Sequence, residues 1–472
     1  MSADTASDAR TPVRQIAALG LPFLLGAFLS SVSGVIDTAM MGRFGSAELA
    51  AVSGASAVFD VFSGVVLATV VGHQILAARF AGRDDPAGIR RSLRSSMWYC
   101  GAFAVPLTLL CLFAGGWLTG LISDGDGGVS GLGADYLLAR GPSLLLLVPF
   151  SLLAATFNAY KRPRYATVAS VVINLANILL DWLLIYGPGP FPRLGATGNG
   201  LATTISWVLG IGCLLVAARR FRLAELLRRP GPGGPVDFET SIPKLGWPAV
   251  VSMGLDYSSN AIFFAIIGGL GQAALGGGRI AFQMMVLLYG VGTAFSAAAR
   301  ILIGRAAGAG EVGDLPVLWR GSRLLLMPPA LIVGAVLVVA PGPAASLFTS
   351  FPDVLRDGAT AMPLIGLSLP LIAWTLGNVS VLRALGQTRS DMYGNLVAAL
   401  CVQLPVSWLL ASVAGLGIAG AYAGVVGYWL VRGALTEFLA RARIRHETRA
   451  AAAAQDGGAL ESAASDPGAR PA

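Results

Sequence analysis

Asp37, Asp60, Asp181 and Asp256 each interrupt a long apolar run, and chemistry in this chain starts from them. If those runs cross a bilayer, a carboxylate inside one costs about 2.5–3.5 kcal/mol, so its presence asks for a function or a partner. On a helix, Asn174, Asn177 and Asp181 fall on one stripe. Asp37 lies about five residues before the end of its run, and Asp181 about six before Gly187. At about 1.5 Å per residue both carboxyls sit roughly 8–9 Å inside the same boundary. Such a set could hold a hard cation, with Na+ at Asp37, Asn177 and Asp181, or share a proton. Two carboxylates at one depth repel when both are ionised, which suits them to loading and releasing a cation. The plainer alternative is a hydrogen-bond network that locks helices together. Asp60 and Asp256 fall near mid-depth, where each could face a substrate cavity as a counter-charge or pair with an arginine such as Arg279.

The elements that must position these residues are membrane helices. Hydrophobic residues make up 55% of the 472, and charged residues only 12%, where a soluble domain carries about 25% charge. Mean hydropathy is +0.70. The 61 glycines are scattered among apolar runs, as in closely packed membrane helices. A span needs roughly 20 apolar residues. That criterion gives an all-α integral membrane protein of about twelve transmembrane helices, near 15–41, 49–76, 96–121, 135–160, 166–186, 199–218, 244–268, 273–303, 323–348, 358–382, 392–413 and 418–440. Gly415 and Gly417 split the uncharged stretch from Met392 to Val431 into two of them.

Loop charges alternate along the chain. Arg79 to Arg94, Lys161 to Arg164, Arg219 to Arg229, Arg320 with Arg323, Arg389, and Arg441 to Arg445 fall on one side. The other side carries Asp124, Asp126, Asp353 and Asp357. The excess of Lys and Arg predicts that both termini are cytoplasmic, which requires an even number of spans. A shift of 226 positions pairs Leu19–Pro22 with Leu245–Pro248, Arg79 with Arg305, Gly82 with Gly308, and Trp182 with Trp408. A shift of 222 brings Leu194 onto Leu416 and Gly198 onto Gly420. Two six-helix lobes related by a parallel repeat follow, at 13–225 and 244–445, joined by a Pro/Gly-rich cytoplasmic linker at 226–243. Residues 1–12 and the Ala/Gly/Ser-rich 446–472 are expected to be disordered.

Several function classes drop out. The net charge of +8 sits in loop clusters, so no nucleic-acid partner is expected. Cys100, Cys111, Cys213 and Cys401 lie in apolar runs without metal-ligand spacing, and His73 and His446 are too few for a zinc site. His73 reads as a polar residue near the headgroups. The run from Gln15 to Met41 is too long for a signal peptide. No P-loop, nucleophile–base pair or metal cluster appears, so the chain is expected not to be an enzyme and to need no cofactor. Its energy would come from an ion gradient, H+ or Na+. Pro22 and Pro248 interrupt their helices, and Pro22 is a candidate hinge.

The run Ile36-Asp37-Thr38-Ala39-Met40-Met41-Gly42, with Pro22 before it, resembles the first-helix signature of the MATE multidrug and toxin extrusion family. Asn174-Leu175-Ala176-Asn177-Ile178-Leu179-Leu180-Asp181 resembles its fifth-helix motif, and Leu194–Gly198 with Leu201-Ala202-Thr203 the start of its sixth. Arg383–Arg389 is similar to the loop between helices 10 and 11, and Asn158–Arg164 to a looser copy. The resemblance covers about residues 12 to 445. It implies a V-shaped pair of lobes and export of amphipathic, cationic drugs or metabolites in exchange for H+ or Na+. It implies a cation site at Asp37, Asn177, Asp181 and Thr203 as in the DinF-like branch, with Asn158 and Asn174 as supporting polar groups. Asp256 falls where the NorM-like branch has a helix-7 acid. Ile372 and Gly278-Arg279 depart from the NorM pattern, which favours the amino lobe for cation binding. The expected setting is a monomer, multi-pass in a bacterial inner membrane. A lipid-linked oligosaccharide flippase of related fold is the alternative, but it should show mid-membrane arginines where this chain shows mostly acids. A membrane-embedded transferase would need a longer polar loop.

Overall fold

The computed structural model describes residues 4–120, 127–220, 242–348 and 351–464. Asp124, Asp126, most of the 226–243 linker and residues 465–472 lie outside the described residues. Among the described residues, twelve helices are long and apolar enough to cross a membrane. They are α1 (Pro12–Met41), α2 (Ala47–Gly82), α3 (Pro86–Phe113), α4 (Gly128–Ala159), α5 (Pro163–Tyr186), α6 (Gly195–Arg219), α7 (Ile242–Gly268), α8 (Ala273–Ala309), α9 (Asp314–Val339), α10 (Pro352–Ala384), α11 (Thr388–Val413) and α12 (Gly417–Ala450). Described residues outside them are helix ends, tight turns and two short helices, with no strand among them.

Two spans begin about ten residues earlier than the apolar runs suggest. At α3 the cause is local. Asp85 caps the helix by accepting from the Gly88 N–H at 2.7 Å, and Pro86 occupies the first turn, so the arginine-bearing stretch is already helical. At α9, Asp314 opens the helix and Pro341 lies just beyond its end. The end helices also outrun expectation. Helix begins at Asp4, and the last helix continues to Ala464 through an alanine-rich flank that favours helix over coil.

Each lobe packs its own core. Buried Met41, Phe59, Leu93, Tyr136, Leu144 and Phe157 centre one, and Phe263, Met285, Met362, Ile365, Tyr422 and Trp429 the other. The repeat holds in three dimensions. The short helices Gly115–Gly120 and Pro341–Ser346 are related by the same offset of 226. The lobes meet on the termini side, where α2 crosses α8. A Cβ added at Gly82 would lie 2.1 Å from the Arg305 carbonyl oxygen, and one at Gly308 2.1 Å from that of Arg79, so only glycine lets these backbones touch. Arg79 Nε donates to Ala384 O at 3.2 Å and Arg305 Nη1 to Ala159 O at 2.7 Å, each capping the helix end of the opposite lobe. Gln74 and Arg300, equivalent under the repeat, bond to each other, Arg300 Nη2 donating to Gln74 Oε1 at 2.8 Å.

Candidate functional site

α1 and α5 run in the same direction and in register, residue i facing residue i+144. Asn174 Nδ2 donates to Ser30 Oγ at 3.4 Å, and Ser33 Oγ donates to Asn177 Oδ1 at 3.3 Å. One turn further, Asp37 and Asp181 meet side chain to side chain. Asp181 is fully buried. Its Oδ1 accepts from Asn199 Nδ2 of α6 at 2.9 Å. Asp37 Oδ1, Asp181 Oδ2 and Asn177 Nδ2 are buried without partners among the described residues. Two carboxyls meeting in a largely buried place favour a shared proton or cation over double ionisation. The stripe expected from the sequence is therefore assembled, and its unpaired oxygens fit a cation.

Other expected residues fall differently. Thr203 Oγ1 donates to the Asn199 carbonyl at 3.1 Å, so from α6 Asn199 touches Asp181 while Thr203 braces the turn beneath it. Asn158 lies at the far end of α4, away from Asp37, and its carbonyl accepts from the Lys161 N–H at 2.9 Å. Pro22 sits within a continuous helix, its carbonyl accepting from Thr167 Oγ1 at 3.1 Å. His73 does not face outward. It is fully buried, with Nδ1 2.9 Å from Ser92 Oγ and Nε2 3.0 Å from Thr156 Oγ1, and ties α2 to α3 and α4.

Asp60 is exposed on α2, facing the second lobe, and Tyr257 of α7 donates to its carbonyl at 3.3 Å. Asp256, the neighbour of Tyr257, lines a cavity of about 430 Å³ walled by Phe282, Tyr289, Trp429 and Arg432. Neither acid pairs with Arg279, whose guanidinium lies 4.4 Å over the Phe264 ring. A chain of bonds leads away from Asp256. Asn395 Nδ2 donates to Asp256 Oδ1 at 2.9 Å, Tyr428 OH donates to Asn395 Oδ1 at 2.7 Å, and Arg432 Nη1 donates to Tyr428 OH. Arg432 Nη2 and Arg383 Nε then clamp the two oxygens of buried Asp391 at 3.3 and 2.7 Å.

Interior arginines were missed by the linear reading. Arg140 ends the first segment of α4, before the break at Gly141-Pro142. Its guanidinium stacks 4.3 Å over Phe59, and Nη1 donates to Tyr136 OH and, at 3.3 Å, to Ser56 Oγ. It stands within Coulombic range of Asp37, Asp60 and Asp181. Arg383, read as part of a loop, and Arg432 are spent on Asp391.

The MatE family profile matches residues 22–183 and 248–409, one copy in each lobe, at the 226-residue offset of the repeat. This chain belongs to the MatE family. A "probable multidrug resistance protein NorM" of Aromatoleum aromaticum is 29% identical over 71% of this chain and 72% of its own length. One of Thermotoga maritima is 25% identical over 89% and 90%. Among solved structures, a MATE crystal structure in the bent conformation matches with a TM-score of 0.85 at 19% identity, covering 96% of this chain and 100% of that one. An outward-facing multidrug resistance MATE family transporter of the MOP superfamily matches with a TM-score of 0.82 at 20% identity, over 92% and 96%. At such identities the structures speak for the MatE fold alone: twelve helices in two lobes.

Proposed function

We propose that this chain is a secondary active antiporter that exports amphipathic, cationic drugs or metabolites in exchange for H+ or Na+, and is not an enzyme. The observation that carries the reading is the Asp37–Asp181 pair, with unpaired oxygens buried inside a lobe of a MatE protein. Asp37, Asn177 and Asp181, backed by Asn199, Thr203 and Asn174, form the coupling site, in the manner of the DinF-like branch. Asp60 and Asp256 are counter-charges for the substrate, Asp256 standing where the NorM-like branch has its helix-7 acid and beside aromatic walls suited to a flat organic cation. The names of the curated relatives agree with multidrug export. The relatives' names speak for multidrug export and not for a flippase of pyrophosphate-linked lipids.

The protein works as a monomer in a bacterial inner membrane, with both termini cytoplasmic. Fusion of a reporter after Ala472 tests that orientation, and activity confined to the periplasm would refute it. Flux of ethidium into proteoliposomes under a Na+ or a pH gradient, each alone, tests the function. One of the two should drive accumulation, and failure of both overturns antiport.

A further inference from the structure

The turns on the termini side gather charges that ion-coupled export leaves unused. A cavity of about 210 Å³ lies between the lobes there, walled by Gln15, Lys161, Arg305, Glu311 and Asp314. One water needs only about 10–15 Å³, so the space takes a larger polar group. A second cavity of about 260 Å³ shares Gln15, Lys161 and Leu302 with it and is otherwise walled by Ala18, Leu19 and Pro163. A polar space and an apolar groove thus meet at Lys161. The depth is that of a lipid headgroup: α4 ends at Ala159, α5 starts at Pro163, α8 ends at Ala309 and α9 starts at Asp314.

Lys161 has a φ of 57°, a left-handed conformation that strains a lysine and suits glycine. The second lobe closes its equivalent helix with the same turn. Lys161 N donates to Asn158 O and Arg162 N to Phe157 O, as Gly386 N does to Arg383 O and Gln387 N to Leu382 O. There the left-handed position holds Gly386, with a φ of 73°. Asp84, the other described non-glycine at positive φ, is of a type that tolerates it. The first lobe therefore accepts strain to set an ammonium at this point. Two residues back, the Ala159 carbonyl accepts from Arg305 Nη1 at 2.7 Å, which holds a guanidinium on the same cavity. Gly310, at a φ of 81°, turns α8 back into α9 and brings Glu311 and Asp314 to it. Among the described residues none of these four charged groups forms an ion pair within 4 Å. Two cations and two carboxylates share one cavity without contact pairing.

We propose that this cavity binds the headgroup of a phosphatidylethanolamine from the leaflet on the termini side, with an acyl chain in the adjoining groove. The phosphate meets Lys161 and Arg305. The primary ammonium, with its three donors, meets Glu311 and Asp314. A phosphatidylglycerol would set its phosphate near both carboxylates with no ammonium to answer them, and a choline headgroup has no N–H to donate. Lys161 lines both spaces, so its apolar stem covers the groove while its charge serves the headgroup. The walls come from both lobes, and Gly82 of the α2–α8 crossing is among them, so the bound lipid bridges the lobes where they meet.

The test is native mass spectrometry of the full chain in detergent, offered phosphatidylethanolamine, phosphatidylcholine or phosphatidylglycerol of identical acyl chains. The wild type should retain one phosphatidylethanolamine about tenfold more tightly than either other lipid, the worth of a charge-assisted hydrogen bond. Lys161→Gly removes the ammonium and relieves the turn. Its thermal midpoint without lipid should not fall, while its phosphatidylethanolamine binding should weaken about tenfold. Glu311→Gln combined with Asp314→Asn should erase the preference over phosphatidylglycerol, and both positions are exposed, so folding should survive. Equal retention of the three lipids by the wild type, or unchanged phosphatidylethanolamine binding in Lys161→Gly, overturns the proposal. Glycerophosphoethanolamine, the headgroup without chains, should compete only at far higher concentration than the lipid. Competition at equal concentration assigns the cavity to a soluble phosphate ester and overturns the lipid.

Discussion

Replacing Asp37 by Asn changes one atom at the centre of the proposed coupling site. Asp37 and Asp181 face each other as acceptors, and the acid offers a donor only when a proton is bound. The carboxamide offers a donor permanently, so Asp37→Asn holds the pair in its loaded arrangement. One-for-one exchange of a monocation for H+ or Na+ is electroneutral, since about 2.3 kcal/mol per 100 mV is lost by one ion and returned by the other. The ion's concentration gradient then does the concentrating, about 1.4 kcal/mol per pH unit, or tenfold. A wild-type vesicle under one pH unit, or a tenfold Na+ gradient, should hold about tenfold more ethidium inside than out. Asp37→Asn should hold none in excess. Its thermal midpoint in detergent should not fall, because a carboxyl with a buried, unpartnered oxygen has been replaced by a group that bonds its neighbour. Ethidium affinity, measured by fluorescence, should stay within a few-fold, because Asp60 and Asp256 lie in other elements. Asp37→Asn that is well folded and still accumulates ethidium to the wild-type ratio would refute the reasoning.

Three further outcomes follow from the geometry. Asp60→Asn and Asp256→Asn should each weaken export of cationic probes more than of neutral ones in paired efflux assays, and equal losses would assign both acids to structure. Asp391→Asn leaves Arg383 and Arg432 as buried cations without their counter-ion and should cost about 3–5 kcal/mol; the detergent thermal midpoint should drop, and Arg383→Gln in the same chain should restore part of it. Gly308→Ala puts a methyl 2.1 Å from the Arg79 carbonyl oxygen, an overpacking worth about 1–3 kcal/mol; cysteines placed at the α2–α8 crossing should become more reactive to a water-soluble maleimide, and unchanged labelling would count against a tight contact there.

The membrane class, the twelve spans and the repeat were legible because each rests on apolar content and chain periodicity, which the bilayer imposes directly. The Asp37–Asp181 pairing was partly legible: helix rise gave the common depth and helix period gave the Asn174–Asn177–Asp181 stripe. The 144-residue register that sets Ser30, Ser33 and Asp37 opposite them is a product of packing. Asn199 was hidden beside Thr203, although an amide one residue past Gly198 in an apolar helix was a signal in plain view. Arg140 was hidden because its helix breaks at Gly141-Pro142, where an arginine looks like a boundary residue. Asn395 was hidden because its bond to Asp256 joins α11 to α7, a contact that only packing makes.

The repeat also explains why the two lobes need not do the same work. Under the offset of 226, Asp37 corresponds to Phe263, Asp60 to Val286 and Asp181 to Ser407, while Asp256 corresponds to Ser30, Asp391 to Tyr165 and Arg432 to Ser206. None of these acids has an acid at the equivalent place in the other lobe. Ser407 Oγ donates to the Ala421 carbonyl at 2.7 Å, at the junction where Asp181 meets Asn199 in the first lobe. The same helix–helix contact is thus an inert backbone bond in one lobe and a bond to a chargeable carboxylate in the other. A shared frame fixes helix crossing and depth, and a handful of side chains decides which lobe can take up charge. In the first lobe Asp37 and Asp181 keep unpaired oxygens in the interior. In the second, Asp391 is held between two arginines, while Asp256, bonded once by Asn395, lines a cavity with aromatic walls. Loading a cation requires a free acceptor, and a walled cavity with one acid suits a bulky cation. Under the proposed function, that division assigns the coupling ion to the first lobe and the organic substrate to the second and to Asp60.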